Sequence, residues 1–129
     1  MTRRAIQTSS APAAVASYSQ AIDTGDYVFC AGQIGLDPGT NEIVAGGVAA
    51  EAERALHNLV AVLDAAGLSM ADVVKTTCFL ADINDFAAFN EVYGKFMPTP
   101  PPARSTFAVA ALPKGARVEI EAIAVRSSD

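Results

Sequence analysis

The sequence predicts a single α+β domain in which a mixed β-sheet carries two helices. The 129 residues match the size of one domain. Segments with strand and helix periodicity follow one another in the order strands, helix, strand, helix, strands, and no repeat or low-complexity linker divides residues 1–129. Hydrophobic residues make up 51% of the chain and charged residues 18%. This composition excludes intrinsic disorder and leaves apolar surface for a subunit interface.

The first strand and the first helix are separated by glycine-rich turns. Residues 27–31 are aromatic or β-branched, and this predicted strand ends at Gly32 and Gly35. A helix is predicted over residues 48–66, where apolar side chains recur at three- and four-residue steps up to a cap at Gly67. Polar residues take the other positions of this helix: Glu51, Glu53, Arg54, His57, Asn58 and Asp64.

A second strand and a second helix follow. Residues 73–80 are rich in β-branched side chains and predict a strand. Asp82 or Asn84 can cap the next helix, which ends before a proline-rich stretch at residues 98–102. Four aromatic residues share one face of this helix: Phe86, Phe89, Tyr93 and Phe96. The prolines predict an extended loop that leads to Arg104.

Two further strands complete the predicted sheet, at residues 105–112 and 117–126, with a turn at 113–115 between them. The last strand is apolar on both faces, through Val118, Ile120, Ala122 and Ala124 on one and Ile123 and Val125 on the other. Two helices cover only one face of a sheet. We therefore expect a homo-oligomer, with ligand clefts between its subunits.

Charge and cysteine content narrow the function class. The net charge of −5 makes nucleic acid a poor partner. Cys30 and Cys78 lie in separate strand-like runs, so we expect two buried, reduced thiols and no disulfide. No signal-peptide core follows the basic N-terminus, and no apolar run approaches the roughly 20 residues of a membrane span. These features predict a cytoplasmic protein.

Neither a metal site nor a cofactor site is predicted. His57 is the only histidine and is expected on the polar face of its helix, without an adjacent nucleophile. The glycines at 32 and 35 do not form a phosphate-binding loop before a helix.

Arg104 and Glu121 are charged residues in otherwise apolar strands. Charged side chains are rarely buried unless they are paired, so these two positions require an explanation. They are either exposed, as a weak salt bridge, or form a site in which Arg104 holds a small carboxylate and Glu121 orients or deprotonates a water. Glu119 has the same strand parity as Glu121. We expect Glu119 to be more solvated because it lies nearer the turn at 113–115.

At these residues the sequence resembles the RidA (YjgF) family of imine deaminases. The resemblance extends over essentially the whole chain in matching order, through residues 11–14, 18–21, 31–38, 73–77, 82–86, 102–105 and 118–125. It implies a chorismate-mutase-like α+β fold, with two helices on one face of a mixed sheet, assembled as a homotrimer with sites between subunits. It also implies hydrolysis of reactive enamines and imines, such as 2-aminoacrylate, to 2-oxo acids and ammonia without a cofactor.

The resemblance assigns roles to individual residues. Arg104 holds the substrate carboxylate, Glu121 activates the attacking water, and Tyr18, Gly32 and Asn90 line the cleft. Structural roles are the alternatives: an interface aromatic for Tyr18, a polar helix position for Asn90, and a bulge or tight turn for Gly32.

Two positions depart from the family pattern. Ala31 stands where many deaminases have serine, although the backbone N–H of Gly32 remains available. Thr106 replaces a cysteine that many members carry, and both positions belong to the expected substrate site.

Two rival functions remain: a non-catalytic trimer that binds 2-oxo acids, and an endoribonuclease or translation inhibitor, which the acidic charge disfavours.

Overall fold

The structure, a computed structural model, describes residues 2–126, which form a mixed sheet, a small hairpin and two helices. The strands and helices are β1 (Arg4–Ile6), β2 (Ala21–Asp23), β3 (Tyr27–Ile34), β4 (Leu36–Asp37), β5 (Glu42–Ile43), α1 (Gly47–Ala65), β6 (Val73–Leu80), α2 (Phe86–Phe96), β7 (Ala103–Ala108) and β8 (Val118–Val125). Within these residues the sheet has six strands in the order β1-β2-β3-β8-β6-β7, and β4 and β5 form a separate two-stranded hairpin. The predicted α+β fold is confirmed.

The sheet is mixed because one of its strand pairs is parallel. β6 and β7 run in parallel, joined by α2, whereas all other neighbours in the sheet are antiparallel. Asp82 caps a short 3-10 turn at Ile83–Asp85 that leads into α2, by accepting a hydrogen bond of 2.9 Å from the Asn84 N–H. The prolines lie in the loop before β7, as predicted.

The predicted bounds of β7 were wrong by several residues. The strand was expected at residues 105–112, but it begins at Ala103 and ends at Ala108. Its pairing runs from Lys75–Ala103 to Leu80–Ala108, and β6 ends at Leu80. The Val109 N–H makes a last hydrogen bond of 2.9 Å to the Leu80 carbonyl. Residues after Val109 extend beyond the end of β6, although their composition favours extended backbone.

Both helices pack on the same face of the sheet. Val118, Ile120, Ala122 and Ala124 of β8 are buried on this face together with the apolar stripe of α1 and with Phe89 and Tyr93 of α2. Cys30 and Cys78 are buried there as free thiols, as predicted. Within residues 2–126, no helix is both long enough and apolar enough to cross a membrane.

The opposite face of the sheet, here called the open face, exposes aromatic side chains. Tyr27 and Phe29 of β3 are 46% and 45% exposed, and Phe107 of β7 is 45% exposed. The Phe79 and Phe107 rings meet edge to face with centroids 5.3 Å apart. The described part of the chain leaves these rings about half exposed, so the expectation of a face that the helices do not cover is confirmed.

Asp23 joins the edge of the sheet to the end of α1. Its Oδ2 atom accepts hydrogen bonds from Arg4 at 3.0 Å and Arg126 at 2.8 Å, and Oδ1 accepts the Gly25 N–H at 2.8 Å. Arg126 also donates to the Ala66 carbonyl at 2.8 Å, just beyond α1. The Gly25 hydrogen bond, followed by the two arginines, lowers the pKa of Asp23 despite its burial.

We predict that Asp23→Asn destabilises the fold in a pH-dependent manner. At pH 7 the free energy of unfolding should fall by at least about 1.5 kcal/mol, the lower range for hydrogen bonds to a charged group. Because the folded-state pKa of Asp23 is lowered, its contribution is present above the unfolded pKa of about 3.9 and is lost as pH falls through the folded value. The difference between native protein and variant should therefore shrink below about pH 4.

Urea unfolding at fixed protein concentration, followed by circular dichroism from pH 7 to pH 3, measures this difference. Asp26→Asn is the matched control, because it removes the same charge from an exposed position in the same turn. The control should stay within about 0.5 kcal/mol of the native protein. A difference for Asp23→Asn that is constant with pH would contradict the prediction.

Candidate functional site

The open side of the sheet contains a cavity of about 620 Å³ where β3, β8 and the N-terminal loop meet. Its lining includes five residues considered from the sequence: Tyr18, Ala31, Gly32, Glu119 and Glu121. Tyr18 lies on the loop and is 51% exposed. We call this cavity the carboxylate pocket, after its two glutamates.

A β-bulge places Gly32 beside Glu119. Cys30 pairs with Ala122 and Gln33 pairs with Ile120, so three steps along β3 match two steps along β8. A Cβ atom on residue 32 would lie 2.8 Å from Cγ and Cδ of Glu119. Gly32 therefore leaves the space that the Glu119 side chain occupies, and the bulge considered from the sequence is present.

Glu119 is half-buried, whereas Glu121 is exposed. The expectation that Glu119 is the more solvated of the two was wrong. The turn after Pro113 folds toward the hairpin, where Lys114 Nζ donates a hydrogen bond to the Asn41 carbonyl at 3.2 Å. Burial, and then the charge of Glu121, raise the pKa of Glu119.

Two buried polar residues of α1 hold the strands behind this pocket. Asn58 is fully buried, and its side-chain amide donates to the carbonyls of Ile34 at 3.1 Å and Leu36 at 2.9 Å. Glu51 is 4% exposed and accepts the Arg117 N–H at 2.8 Å, at the start of β8. The bulged part of β3 and the strand that carries Glu119 are thus both fixed to α1.

From the sequence, Glu51 and Asn58 were assigned to the polar face of the helix. This assignment was wrong, because both side chains are buried. Both residues are three or four positions from Ala55, at the spacing of the apolar stripe. That spacing was the signal that could have identified them. His57 is exposed as expected, with its ring centroid 5.1 Å from that of Phe96.

A second cavity, of about 510 Å³, lies between α2 and the proline-rich loop, and Arg104 and Asn90 line it. We call it the arginine pocket. Arg104 Nη1 donates a hydrogen bond of 2.7 Å to Asn90 Oδ1. The guanidinium carbon lies 4.6 Å from the centroid of the Tyr93 ring. Thr106 follows two positions along β7, and its buried Oγ1 atom has no hydrogen-bond partner among residues 2–126.

Arg104 and Glu121 do not meet within one chain. Arg104 pairs with Thr76 of β6, and Glu121 pairs with the next residue, Thr77. Neighbouring residues of a strand point to opposite faces, so Arg104 is on the helix side and Glu121 is on the open side. The salt bridge considered from the sequence is absent among the described residues. The expected site residues form two groups: Arg104, Asn90 and Thr106, and Tyr18, Ala31, Gly32 and Glu121.

No group of three or more histidine, cysteine, aspartate or glutamate side chains in the described part of the chain has an arrangement that could hold a metal ion. The titratable groups that line the two pockets are the arginine, the tyrosines, the lysine and the two glutamates named above. Together they can bind an anion and accept a proton.

Comparison with known proteins places the chain in a family. A family model described as endoribonuclease L-PSP matches residues 8–126. The chain belongs to the endoribonuclease L-PSP family. A crystal structure of RidA from a Psychrobacter species has a TM-score of 0.92 and 48% identity, covering 96% of this chain and all of that one. The resemblance to RidA is therefore confirmed.

The chain is also similar to two proteins whose names concern small amino or imino acids. A rat protein named 2-iminobutanoate/2-iminopropanoate deaminase is 53% identical, covering 96% of this chain and 90% of its own length. The structure of Escherichia coli TdcF with bound serine has a TM-score of 0.90 and 47% identity, covering 96% of this chain and 99% of that one.

We predict that Glu119 titrates above an ordinary glutamate, whose pKa is about 4.3. Glu121→Gln should lower the pKa of Glu119 but leave it raised, because burial is the larger cause. Gly32→Ala should lower it further toward the ordinary value, because the added methyl group pushes the carboxylate toward solvent. Side-chain carboxyl ¹³C NMR from pH 3 to pH 8 measures these values, and Glu119→Gln assigns the resonance. A native Glu119 that titrates at or below the ordinary value would contradict this prediction.

Proposed function

We propose that this protein is an imine deaminase, a hydrolase that converts 2-imino acids and their enamine tautomers, such as 2-aminoacrylate, to 2-oxo acids and ammonia. The observation that carries the proposal is the presence of two complementary pockets on opposite faces of the chain, one with a cation and one with a half-buried carboxylate. The name of the rat relative and the serine bound to TdcF support a small amino- or imino-acid substrate.

The two pockets act together when they come from different copies of the chain. Arg104 and the glutamates lie on opposite faces of one subunit. A single subunit therefore has both pockets but cannot bring them together around one substrate. The exposed aromatic residues of the open face give a second copy a surface to cover. We therefore propose a homotrimer whose sites lie between neighbouring subunits, a closed ring in which each subunit supplies both halves to different sites.

Arg104 is proposed to bind the substrate carboxylate. Its Nη1 atom is engaged by Asn90, and no acidic side chain among residues 2–126 forms an ion pair with it. Its charge is therefore left for an anionic ligand, which a guanidinium fork can bind through two parallel hydrogen bonds. Thr106 lies two positions further along β7 on the same face, with its Oγ1 atom buried beside the arginine pocket rather than lining it.

Glu119 is proposed to activate the water, a role that the sequence had given to Glu121. Glu119 is the half-buried carboxylate of this pocket, and burial raises its pKa, which suits it to accept a proton from water. Glu121 then acts on it through charge, from the exposed side of the same pocket. Gly32, Ala31 and Tyr18 complete the wall, with Gly32 leaving room for the carboxylate.

The proposed reaction needs water as its only co-substrate. The water oxygen bonds to the carbon of the protonated imine, the π electrons of the C=N bond move to nitrogen, and Glu119 takes one water proton, which gives a neutral carbinolamine. Glu119 then returns this proton to the nitrogen, and the carbon–nitrogen bond breaks as the hydroxyl oxygen forms the carbonyl. The departing ammonia takes the hydroxyl proton and leaves as ammonium, together with the 2-oxo acid. The imine carbon next to a carboxylate is already electrophilic, so the protein supplies orientation and a base rather than a nucleophile or a cofactor.

We also propose a cytoplasmic location, which the two free, buried thiols of Cys30 and Cys78 favour. The rival functions are outcomes of the same experiments. Binding of 2-oxo acids without turnover would replace the deaminase by a carboxylate-binding protein. RNA cleavage that is lost with a change at Glu119 or Arg104 would replace it by a ribonuclease.

We predict that the protein accelerates release of 2-oxo acid from imines formed in situ by an amino-acid oxidase, with semicarbazide competing for the imine. Arg104→Ala should lower kcat/KM by about 10- to 100-fold, the value of one charged hydrogen-bonded pair. Glu119→Gln should lower kcat by about 100-fold or more. Glu121→Gln is the matched control and should retain most activity. Equal losses for Glu119→Gln and Glu121→Gln would contradict the assignment of the base.

Activity should also fall as pH drops through the pKa of Glu119, because the base acts as a carboxylate. Since that pKa is raised, the fall should begin above the range of an ordinary glutamate, and Glu121→Gln should shift it to lower pH. The pH dependence of kcat/KM measures this titration in the free enzyme. A profile that Glu121→Gln leaves unchanged would contradict the coupling of the two carboxylates.

We predict that two inactive variants restore activity when their subunits are mixed. After dissociation and reassembly of Arg104→Ala with Glu119→Gln in equal amounts, about a quarter of the interfaces of a cyclic trimer combine an intact arginine with an intact glutamate. Activity should recover to about that fraction of the native value. Reassembly of each variant alone is the control. No recovery in verified mixed assemblies would contradict a site shared between subunits.

A further inference from the structure

We propose that Tyr93 is a positioning residue for Arg104, which holds the face of the guanidinium so that its N–H edge is presented to the substrate carboxylate. This inference rests on the proposed role of Arg104 in carboxylate binding. It assigns a function to a tyrosine that the sequence placed only on the apolar face of the second helix.

The geometry brings two aromatic rings and one amide against the arginine. The guanidinium carbon is 4.6 Å from the centroid of the Tyr93 ring and 5.4 Å from that of the Phe86 ring. Both distances are within the range of a cation–π interaction. Asn90, on the same helix, accepts one hydrogen bond from Nη1 at 2.7 Å. α2 therefore contacts the guanidinium through all three of these side chains.

The ring of Tyr93 is itself fixed on both sides. Its hydroxyl lies 2.7 Å from Oγ1 of Thr76, which is fully buried and is the pairing partner of Arg104 across β6 and β7. The Phe89 ring packs against it with centroids 5.5 Å apart. Tyr93 is only 4% exposed. A side chain held by a hydrogen bond and by packing is suited to hold a mobile neighbour in place.

Stacking on a ring differs chemically from pairing with an acid. An aromatic face attracts the cation without cancelling its charge, and it occupies the plane of the guanidinium rather than its edge. A carboxylate in the place of Tyr93 would instead neutralise the charge of Arg104 and accept hydrogen bonds from the N–H groups that are needed to bind the substrate. Stacking also restricts the rotamers of Arg104 before the ligand binds. The arginine therefore loses less conformational entropy on binding than an unrestrained side chain would.

The test measures how well the protein distinguishes a charged ligand from a matched uncharged one. Titration calorimetry of the assembled protein with 2-oxobutanoate and with 2-oxobutanamide gives the two Kd values. The ratio used here is the Kd for 2-oxobutanamide divided by the Kd for 2-oxobutanoate. Tyr93→Leu removes the ring and should weaken 2-oxobutanoate binding by about 5- to 30-fold, while 2-oxobutanamide binding changes little. In turnover, the same variant should raise KM with little change in kcat.

Two further variants separate positioning from folding. Tyr93→Phe keeps the ring and loses the bond to Thr76, so it should lose stability but retain the native ratio of Kd values. Phe89→Leu removes a buried ring that packs on Tyr93 but does not stack on Arg104, so it should change the ratio less than Tyr93→Leu does. If Tyr93→Leu fails to fold, Phe86→Leu removes the outer, partly exposed ring and should lower the ratio by about 2- to 5-fold.

The inference fails if neither Tyr93→Leu nor Phe86→Leu changes the ratio, or if Phe89→Leu changes it as much as they do. Failure of the proposed function has a different signature. In that case the native protein neither accelerates imine hydrolysis nor binds 2-oxobutanoate more tightly than 2-oxobutanamide. Native discrimination that is lost with Arg104→Ala but kept with Tyr93→Leu would overturn the role of Tyr93 alone.

Discussion

Side chains alternate along a β-strand, and this period of two residues governs where each charge of the candidate site lies. Thr76 and Thr77 are neighbours on β6, and they pair with Arg104 and Glu121 respectively. The arginine therefore lies among the aromatic residues of α2, whereas the glutamates lie on the open face. Rotation of a side chain does not change the face on which it is placed. The division into two pockets is a property of the sheet itself.

The carboxylate pocket depends on polar groups that α1 buries against the sheet. Burial of an amide or a carboxylate is costly unless its hydrogen bonds are made. Asn58 makes three, two to backbone carbonyls near the bulge and one from Arg54. These bonds are specific to one alignment of β3 with the helix. They favour the register in which Gly32, rather than a residue with a side chain, faces Glu119.

Much of the fold could be predicted from the sequence, because β6, α1 and α2 are long enough to show their periods. β1, β2, β4 and β5 have two or three residues each, too few to show any period. The end of β7 depends on the length of its partner, β6, which composition does not encode. Arg104 and Glu121 were predicted as site residues from the sequence, with Glu119 as a competitor, but the faces on which these residues lie depend on the pairing register. The solvation of Glu119 was misjudged because distance from a turn along the chain differs from burial in space.

The separation of Arg104 from Glu119 within one subunit has a consequence for the protein in dilute solution. Under the proposed assembly, a dissociated subunit carries both pockets but no complete site. Specific activity then depends on protein concentration and disappears once dilution separates the subunits. Association of the subunits would then be required for activity. The reaction would take place only above the protein concentration at which the trimer forms.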